Sequence, residues 1–366
     1  MGEPARRMRV LIWQWGRKGA GPRYAAELSA SLRTVPGVAT TLSLSAQAEL
    51  LQGRDRPDCT LPFPTYNGKL SLLRRLPGLR TSLPPLVAHL RALAPDVAIC
   101  AMPAVLDLFM VTALRRAGVK FYVVVHDADA HPGDDFPLQM PLQRALIRRA
   151  DGLIALTAHV ADRLRALNQV GDRPLLMSTL PPFIFGALPA PAGNHGGKLR
   201  LLSFGRLLPY KGLDLLAEAL AVLGPRDDVE VRVVGSGPPS AELDALAAMP
   251  HVTVENRWVP EDEVGSILAW SDALVLSHRE ASQSGVAAAA IAARRWVIGT
   301  RVGGISEQLA DEPLARLCDP TAESLAAAIR GMIESPPAAS VAGDPRQVWH
   351  DVAVRLAQEL QAHVTA

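Results

Sequence analysis

Short apolar runs return along this chain, and each is separated from the next by a segment long enough to be a helix. In the first half the runs are Arg9–Trp13, Val38–Leu44, Val97–Cys100, Phe121–Val125 and Gly152–Leu156. Between them lie a helix from about Arg23 to Leu32 and the helical stretches "AVLDLFMVTALRRAG" and "PLQRALIRRA". Strands that alternate with helices imply a parallel sheet wound on both faces. The pattern breaks at Thr179–Lys198, "TLPPFIFGALPAPAGNHGGK", which is rich in Pro and Gly and carries no helical period. It then restarts. Leu199–Phe204, Glu230–Val234, His251–Glu255, Ala273–Leu276 and Trp296–Gly299 read as strands. Leu213–Leu223, "SAELDALAAM" and "EDEVGSILAWS" read as helices. The expected fold class is α/β, with two doubly wound domains joined by one linker and facing a cleft. The expected boundaries are 1–180 and 181–345, followed by a helix over 346–366. That helix shows Val348, Val352, Leu356 and Leu360 at fourfold spacing, an apolar stripe that seeks a partner face, and the N-terminal domain is the face expected.

Composition narrows the class. A chain of 366 residues exceeds one ordinary core, and 49% hydrophobic with 20% charged residues excludes a disordered chain. No apolar run reaches the ~18–20 residues of a membrane-spanning helix. The opening "MGEPARRMRVLIWQW" lacks the order of a signal peptide. Cys59, Cys100 and Cys318 are far apart, as free thiols in a reducing compartment would be. The expectation is a cytoplasmic protein. Charge is uneven: residues 1–190 hold 23 Lys and Arg against 14 Asp and Glu, whereas residues 191–366 hold 15 against 22. The basic half either meets an anionic surface or reflects ordinary variation between domains. Nucleic acid is not an expected partner, because no reading motif is present and the net charge is only +2.

The stretch "LLSFGRLLPYKGLDLL" (Leu201–Leu216) carries the strongest chemical signal. It reads as a strand, a turn and a helix, with Arg206 and Lys211 in the turn. A strand-to-helix turn exposes unpaired backbone N–H groups that attract anions. Arg offers a fork of donors and Lys a point charge, which together suit a diphosphate. Two solvated surface cations are the alternative.

The company these residues keep favours the anion site. "GRLLPYKGLDLL" resembles a signature of the glycosyltransferase family 4 enzymes, whose fold is the two-domain GT-B fold. "VVGSGP", "ALVLSHREASQSGV" and "WVIGTRVGGISEQL" resemble further family motifs in the family's order, and "GAGPRYAAELSASL" and "VVVHDADAHPG" resemble its N-terminal loops. The resemblance implies a retaining glycosyltransferase that uses a nucleoside-diphosphate sugar. Arg206 and Lys211 would hold the diphosphate, and Glu280 would accept hydrogen bonds from sugar hydroxyls. Gly205, Gly235, the run Ser282, Gln283, Ser284, Gly285 and Val286, and Glu307 would line the donor site. Gly19 and Gly21 would let the first loop approach the donor phosphate, and His126 would contact the reacting sugar. The departing diphosphate would itself help to deprotonate the acceptor.

One departure is informative. Many family members carry a second Glu eight residues after the first, where this chain has Ala288. It is similar to a branch with "QSGV" after the first Glu, and ribose contact must then come from elsewhere. "HDADAH" (His126–His131) could ligate a divalent cation, but the resemblance implies a metal-free loop, so neither a metal nor a cofactor is expected. "RRLPGLRTSLPPLVAHLRAL" (Arg74–Leu93) could press on an anionic bilayer or be a helix with a solvated basic face. The expected acceptor is a glycan or lipid-linked sugar of bacterial surface polysaccharide synthesis, with the protein peripheral on the inner face of the plasma membrane. A sugar-nucleotide epimerase on the same fold and a non-catalytic nucleotide-binding protein are the rival readings.

Overall fold

The computed structural model of the chain describes residues 6–53, 56–133, 139–186, 197–335 and 344–364. The chain forms two compact units. The first comprises Met1–Ala128, Phe136–Thr179 and Arg346–Ala366, and the second Asp129–Asp135 and Leu180–Pro345.

In the first unit the strands are β1 (Met8–Gln14), β2 (Val38–Leu44), β3 (Val97–Cys100), β4 (Lys120–Val125), β5 (Gly152–Ala155) and β6 (Leu175–Met177). All pair in parallel, in the order β2-β1-β3-β4-β5-β6. The helices are α1 (Ala20–Arg33), α2 (Lys69–Leu93), α3 (Asp107–Ala117), α4 (Gln139–Arg149), α5 (Ala158–Ala166) and α12 (Pro345–Val364). Successive strand side chains point to opposite faces. Leu11, Trp13, Ala98, Cys100, Phe121 and Val123 share one core with α2, α3, α4 and α5. Their neighbours Val10, Ile12, Ile99, Tyr122 and Val124 are buried on the other face.

Helix α12 packs on α1, with the rings of Tyr24 and Trp349 5.6 Å apart. Its buried face is Trp349, Val352, Ala353, Leu356, Ala357 and Leu360. Val348, expected in the apolar stripe, is 36% exposed. A strict fourfold spacing drifts around a helix of 3.6 residues per turn, so one end of such a stripe leaves the contact.

In the second unit the strands are β7 (Leu199–Arg206), β8 (Val229–Ser236), β9 (Val252–Asn256), β10 (Ala273–Leu276), β11 (Trp296–Thr300) and β12 (Ala315–Cys318). The helices are α6 (Leu213–Leu223), α7 (Ala241–Ala247), α8 (Glu261–Trp270), α9 (Gly285–Ala292), α10 (Gly303–Gln308) and α11 (Ala322–Glu334). The sheet is again parallel, in the order β12-β11-β10-β7-β8-β9. Leu201, Val231, Val275 and Ile298 face a core with α6, α7 and α11. Leu202, Val234, Leu274 and Val297 face a second core with α8, α9 and α10. Numbered within the unit, the order is that of dinucleotide-binding sheets, in which winding reverses between the first and fourth strands, here β7 and β10.

Three features depart from the sequence reading. The edge strands β6 and β12 were not expected; each is short and only partly buried, so neither shows a long apolar run. The described part of the proline-rich stretch after Thr179 is anchored and not a free linker: Leu180 and Phe183 are buried, and the Phe183 N–H donates to the Ala288 carbonyl at 3.2 Å. Residues 187–196 of that stretch lie outside the described residues. Finally, α2 runs unbroken through Pro77, Pro84 and Pro85. Its packing through Leu86, Val87 and Leu90 against the first core overrides the loss of local hydrogen bonds.

At the start of α3, Asp107 is fully enclosed. It accepts from the Ala104 N–H at 2.6 Å, the Trp13 indole at 3.1 Å and the Cys100 thiol at 3.4 Å. Burial outweighs these bonds and lifts its carboxyl from 3.8 to about 7. The native state therefore holds this proton between about pH 4 and pH 7 while the unfolded chain releases it. Stability falls as pH rises through that window and levels off above it. Relative to an Asp107→Asn variant, the wild type is expected to lose about 4 kcal/mol from pH 4 to pH 7, the equivalent of about three pKa units. Denaturant unfolding of both proteins across that range measures it; parallel pH profiles would refute it.

Candidate active site

The carboxyl ends of β7 and β10 in the second unit carry the strongest cluster of polar side chains predicted from sequence. Chain approach there is so close that glycine is required. At Gly235 a Cβ would stand 1.6 Å from the Gly205 carbonyl oxygen, and at Gly212, with φ +66°, 1.9 Å from the Ser277 carbonyl oxygen. Strand β7 ends at Arg206, and a single 3-10 turn, Pro209–Lys211, leads through Gly212 into α6.

Tyr210 is the centre of the cluster. Its ring is buried, and its hydroxyl accepts from Arg206 Nη2 at 2.8 Å. The Arg206 guanidinium carbon and Lys211 Nζ lie 5.5 and 5.3 Å from the ring centroid, within range of cation–π attraction. The two cations are thus gathered on one aromatic platform. Lys211 Nζ donates to His278 Nε2 at 2.9 Å. His131 stacks on Tyr210 with centroids 4.6 Å apart, and its Nδ1 lies 3.2 Å from Glu280 Oε1. His131 comes from the segment Asp129–Asp135, which belongs to this unit.

The loop after β10 is tied to the turn after β7. Ser277 Oγ donates to the Lys211 carbonyl at 2.9 Å, the Arg279 N–H donates to the Tyr210 carbonyl at 2.8 Å, and Arg279 pairs with Asp214 at 2.7 Å. Arg279 holds the Asp214 carboxyl below its usual range against the opposing effect of burial, while the Arg279 guanidinium is raised by the same pair. Ser284 caps α9, its Oγ accepting from the Ala287 N–H at 3.2 Å. Ser284 is held in turn by Gln308, which accepts from its N–H and donates to its carbonyl. A Cβ on Gly205 would meet Val286 Cγ2 at 3.3 Å. Arg206, Lys211, Gly205, Gly235, Glu280 and the run Ser282–Val286 therefore lie on neighbouring segments of one sheet edge. Glu307 is exposed on α10, next to Gln308.

His126, Gly19 and Gly21 belong to the first unit. Gly19 precedes α1 with φ +81°, and a Cβ at Gly21 would press on Gln14 Nε2 at 2.8 Å and Met102 Sδ at 3.1 Å. His126 is buried, within 2.9 Å of the Ala101 carbonyl through Nε2 and edge-on to Tyr24 at 5.2 Å. Burial depresses its basicity, so it is neutral near pH 7 with its Nε2 proton directed at that carbonyl. Among the described residues, no group of three or more His, Cys, Asp or Glu is placed to hold a metal ion. Tyr210 and His278 were not among the residues expected at the site, and His131 was considered only within "HDADAH" as a candidate cation ligand. An aromatic wedged between two cations in "RLLPYKG" was the available signal for Tyr210.

Two family models match consecutive parts of the chain. One, described as glycosyl transferases group 1, matches residues 198–335, and the other, a glycosyl transferase 4-like domain, matches residues 19–177. The chain belongs to the group 1 glycosyltransferases. This glycosyltransferase is 26% identical over 254 residues to the 2-deoxystreptamine glucosyltransferase of Streptomyces kanamyceticus, a match covering 61% of this chain and 64% of that protein. It is 32% identical over 138 residues to the D-inositol 3-phosphate glycosyltransferase of Arthrobacter sp. (strain FB24), covering 36% of this chain and 33% of that protein. The chain thus spans less than two thirds of the length of either relative. Among solved structures it resembles Anabaena HepE in complex with UDP and glucose, with a TM-score of 0.67 at 16% identity over 98% of this chain and 99% of that one. The fold is GT-B, as the α/β alternation and the motifs led us to expect.

Ala288 lies in the first turn of α9 and is fully buried. A carboxylate introduced there would be withdrawn from water. Ala288→Glu is expected to cost roughly 3 kcal/mol or more, on the order of 6–12 °C in Tm, without tightening nucleoside-diphosphate binding. Thermal melts and titration of the variant check this, and unchanged stability with tighter binding would contradict it.

Proposed function

We propose that this glycosyltransferase moves a sugar, with retention of configuration, from a nucleoside-diphosphate sugar to a glycan or lipid-linked acceptor in bacterial surface polysaccharide synthesis. The observation that carries the reading is the pairing of Arg206 and Lys211 on Tyr210 at the reversal point of the second sheet, next to Glu280. Ligands of such sheets bind outside the carboxyl ends of strands at that point. UDP and glucose in the Anabaena relative support the same donor class.

In this mechanism the bond between the anomeric carbon and the diphosphate oxygen breaks, and the acceptor oxygen takes its place. Arg206 and Lys211 neutralise the charge that grows on the departing diphosphate, and the amino end of α9, opened by Ser282–Val286, adds a favourable field. The acceptor's proton leaves with the diphosphate. Glu280 accepts from sugar hydroxyls, and Gly205, Gly235 and Glu307 line the donor site. The roles carried by resemblance for Gly19, Gly21 and His126 of the first unit are part of the same proposal, as is membership of the branch marked by "QSGV". No metal is required, because the two cations and the helix terminus supply the positive field.

Peripheral binding to an anionic membrane is supported by the first unit. Helices α2, α3, α4 and α5 share one face of its sheet; of their two acidic residues Asp107 is buried and Asp162 is paired with Arg165. On α2, Leu70, Leu73 and Leu76 are 73%, 63% and 47% exposed, with Arg74 and Arg80 exposed beside them. Arg75 is turned inward, over the Phe63 ring and within 3.3 Å of Ser82 Oγ. Among the described residues no helix is long and apolar enough to cross a membrane.

Arg206→Ala and Lys211→Ala are each expected to lower kcat/KM by about 10²–10³-fold in a donor-screened transfer assay, with folding retained. Wild-type turnover from either variant would remove the reading. Transfer should also survive excess EDTA; full loss restored by magnesium or manganese would overturn the metal-free mechanism. Reversing Arg74 and Arg80 to Glu is expected to weaken binding to phosphatidylserine-containing vesicles by about 1 kcal/mol per charge. Equal flotation of both proteins would refute membrane docking and leave donor chemistry untouched.

A further inference from the structure

His278 lies inside the motif "ALVLSHREASQSGV" but was given no role there, and its ring meets Lys211 and Tyr210 of the turn after β7. It follows β10 and is buried to 3% exposure. Its Nε2 lies 2.9 Å from Lys211 Nζ. An ammonium has three N–H donors and no acceptor, so the proton in this contact is the lysine's and Nε2 presents its lone pair. That fixes the ring as the neutral tautomer with its proton on Nδ1. Nδ1 is enclosed. Burial keeps the ring from charging, and the Lys211 ammonium and the neighbouring His131 act in the same direction.

The backbone beside it is fixed as firmly. Ser277 Oγ donates to the Lys211 carbonyl, Gly212 lets the turn close on the Ser277 carbonyl, and Thr300 Oγ1 donates to the His278 carbonyl at 2.7 Å. Lys211 is therefore held at both ends by consecutive residues, its carbonyl by Ser277 and its ammonium by His278. A lysine on four rotatable bonds otherwise loses that freedom when a ligand binds.

We propose that His278 is a positioning residue for Lys211: a buried, neutral acceptor that takes one N–H of the ammonium and so orients it for a diphosphate. The proposal rests on the reading that Lys211 binds the donor diphosphate. An uncharged acceptor suits this task better than a carboxylate would, because it orients the ammonium without cancelling its charge toward the ligand.

The test is a double-mutant cycle read by calorimetric titration. The probe is whichever of UDP, GDP, ADP, CDP and TDP most raises the wild-type Tm, with its nucleoside as the phosphate-free control. His278→Leu removes the acceptor and His278→Gln restores one. His278→Leu is expected to weaken the diphosphate about tenfold and leave nucleoside binding unchanged, His278→Gln to recover most of the loss, and His278→Leu to have no further effect beside Lys211→Ala. An equal loss in the Lys211→Ala background, an equal loss for the nucleoside, or no rescue by Gln would overturn the proposal. If Lys211→Ala itself leaves the diphosphate affinity unchanged, the donor reading fails; if it weakens binding and His278→Leu does not, only the positioning role fails. A second measurement needs no variant at position 278 to fold: nitrogen-15 NMR of the wild-type histidines should show His278 protonated on Nδ1 near pH 7. A proton on Nε2, or an imidazolium, would overturn the assignment.

Discussion

The turn after β7 and the loop after β10 meet at van der Waals limits, and the site depends on that contact. Gly212 is the pivot. Its φ of +66° and the 1.9 Å that a Cβ would leave to the Ser277 carbonyl exclude any other residue without backbone movement. The contact follows from topology: β7 and β10 are paired neighbours, and the chain leaves them in opposite winding directions. Segments that start side by side are thereby presented together at one edge, and Arg206, Tyr210, Lys211, His278 and Glu280 all stand on them.

Electrostatics at this edge are arranged by geometry more than by charge count. The second half of the chain is net acidic, yet two cations share one tyrosine ring here and a neutral histidine accepts from one of them. Like charges so close are tolerated because Arg206 remains exposed and because the ring face and hydroxyl of Tyr210 offset part of the repulsion. An anion would relieve what remains. The nearby carboxylates are engaged: Asp214 with Arg279 and Glu280 with His131.

The first unit is built to a similar plan. Its sheet order, β2-β1-β3-β4-β5-β6, reverses between β1 and β3, and the loops after them bring Gly21 against Met102. Its outer helices are polarised. The face made by α2, α3, α4 and α5 is basic, whereas α1 and α12 mix both signs. The positive excess of residues 1–190 is thus concentrated in part on one layer of helices.

Most of the strands were legible in the sequence: Val38–Leu44, Val97–Cys100 and Ala273–Leu276 were read to the residue, the last two because a strand buried on both faces of a parallel sheet is a continuous apolar run. Arg206, Lys211 and Glu280 were legible because motif spacing along a strand-turn-helix unit is local information. The edge strands β6 and β12 were not, since each is very short and mostly only partly buried and makes no such run. The roles of Tyr210, His131 and His278 were not either. Each acts through partners 67 or more positions away, or through a ring face whose neighbours only the sheet order supplies. Sequence determined which segments become strands and which residues can carry charge. Only the tertiary structure decided which segments lie side by side, and so which way a lysine is held, because hydrogen bonds across a sheet edge are set by strand order and not by distance along the chain.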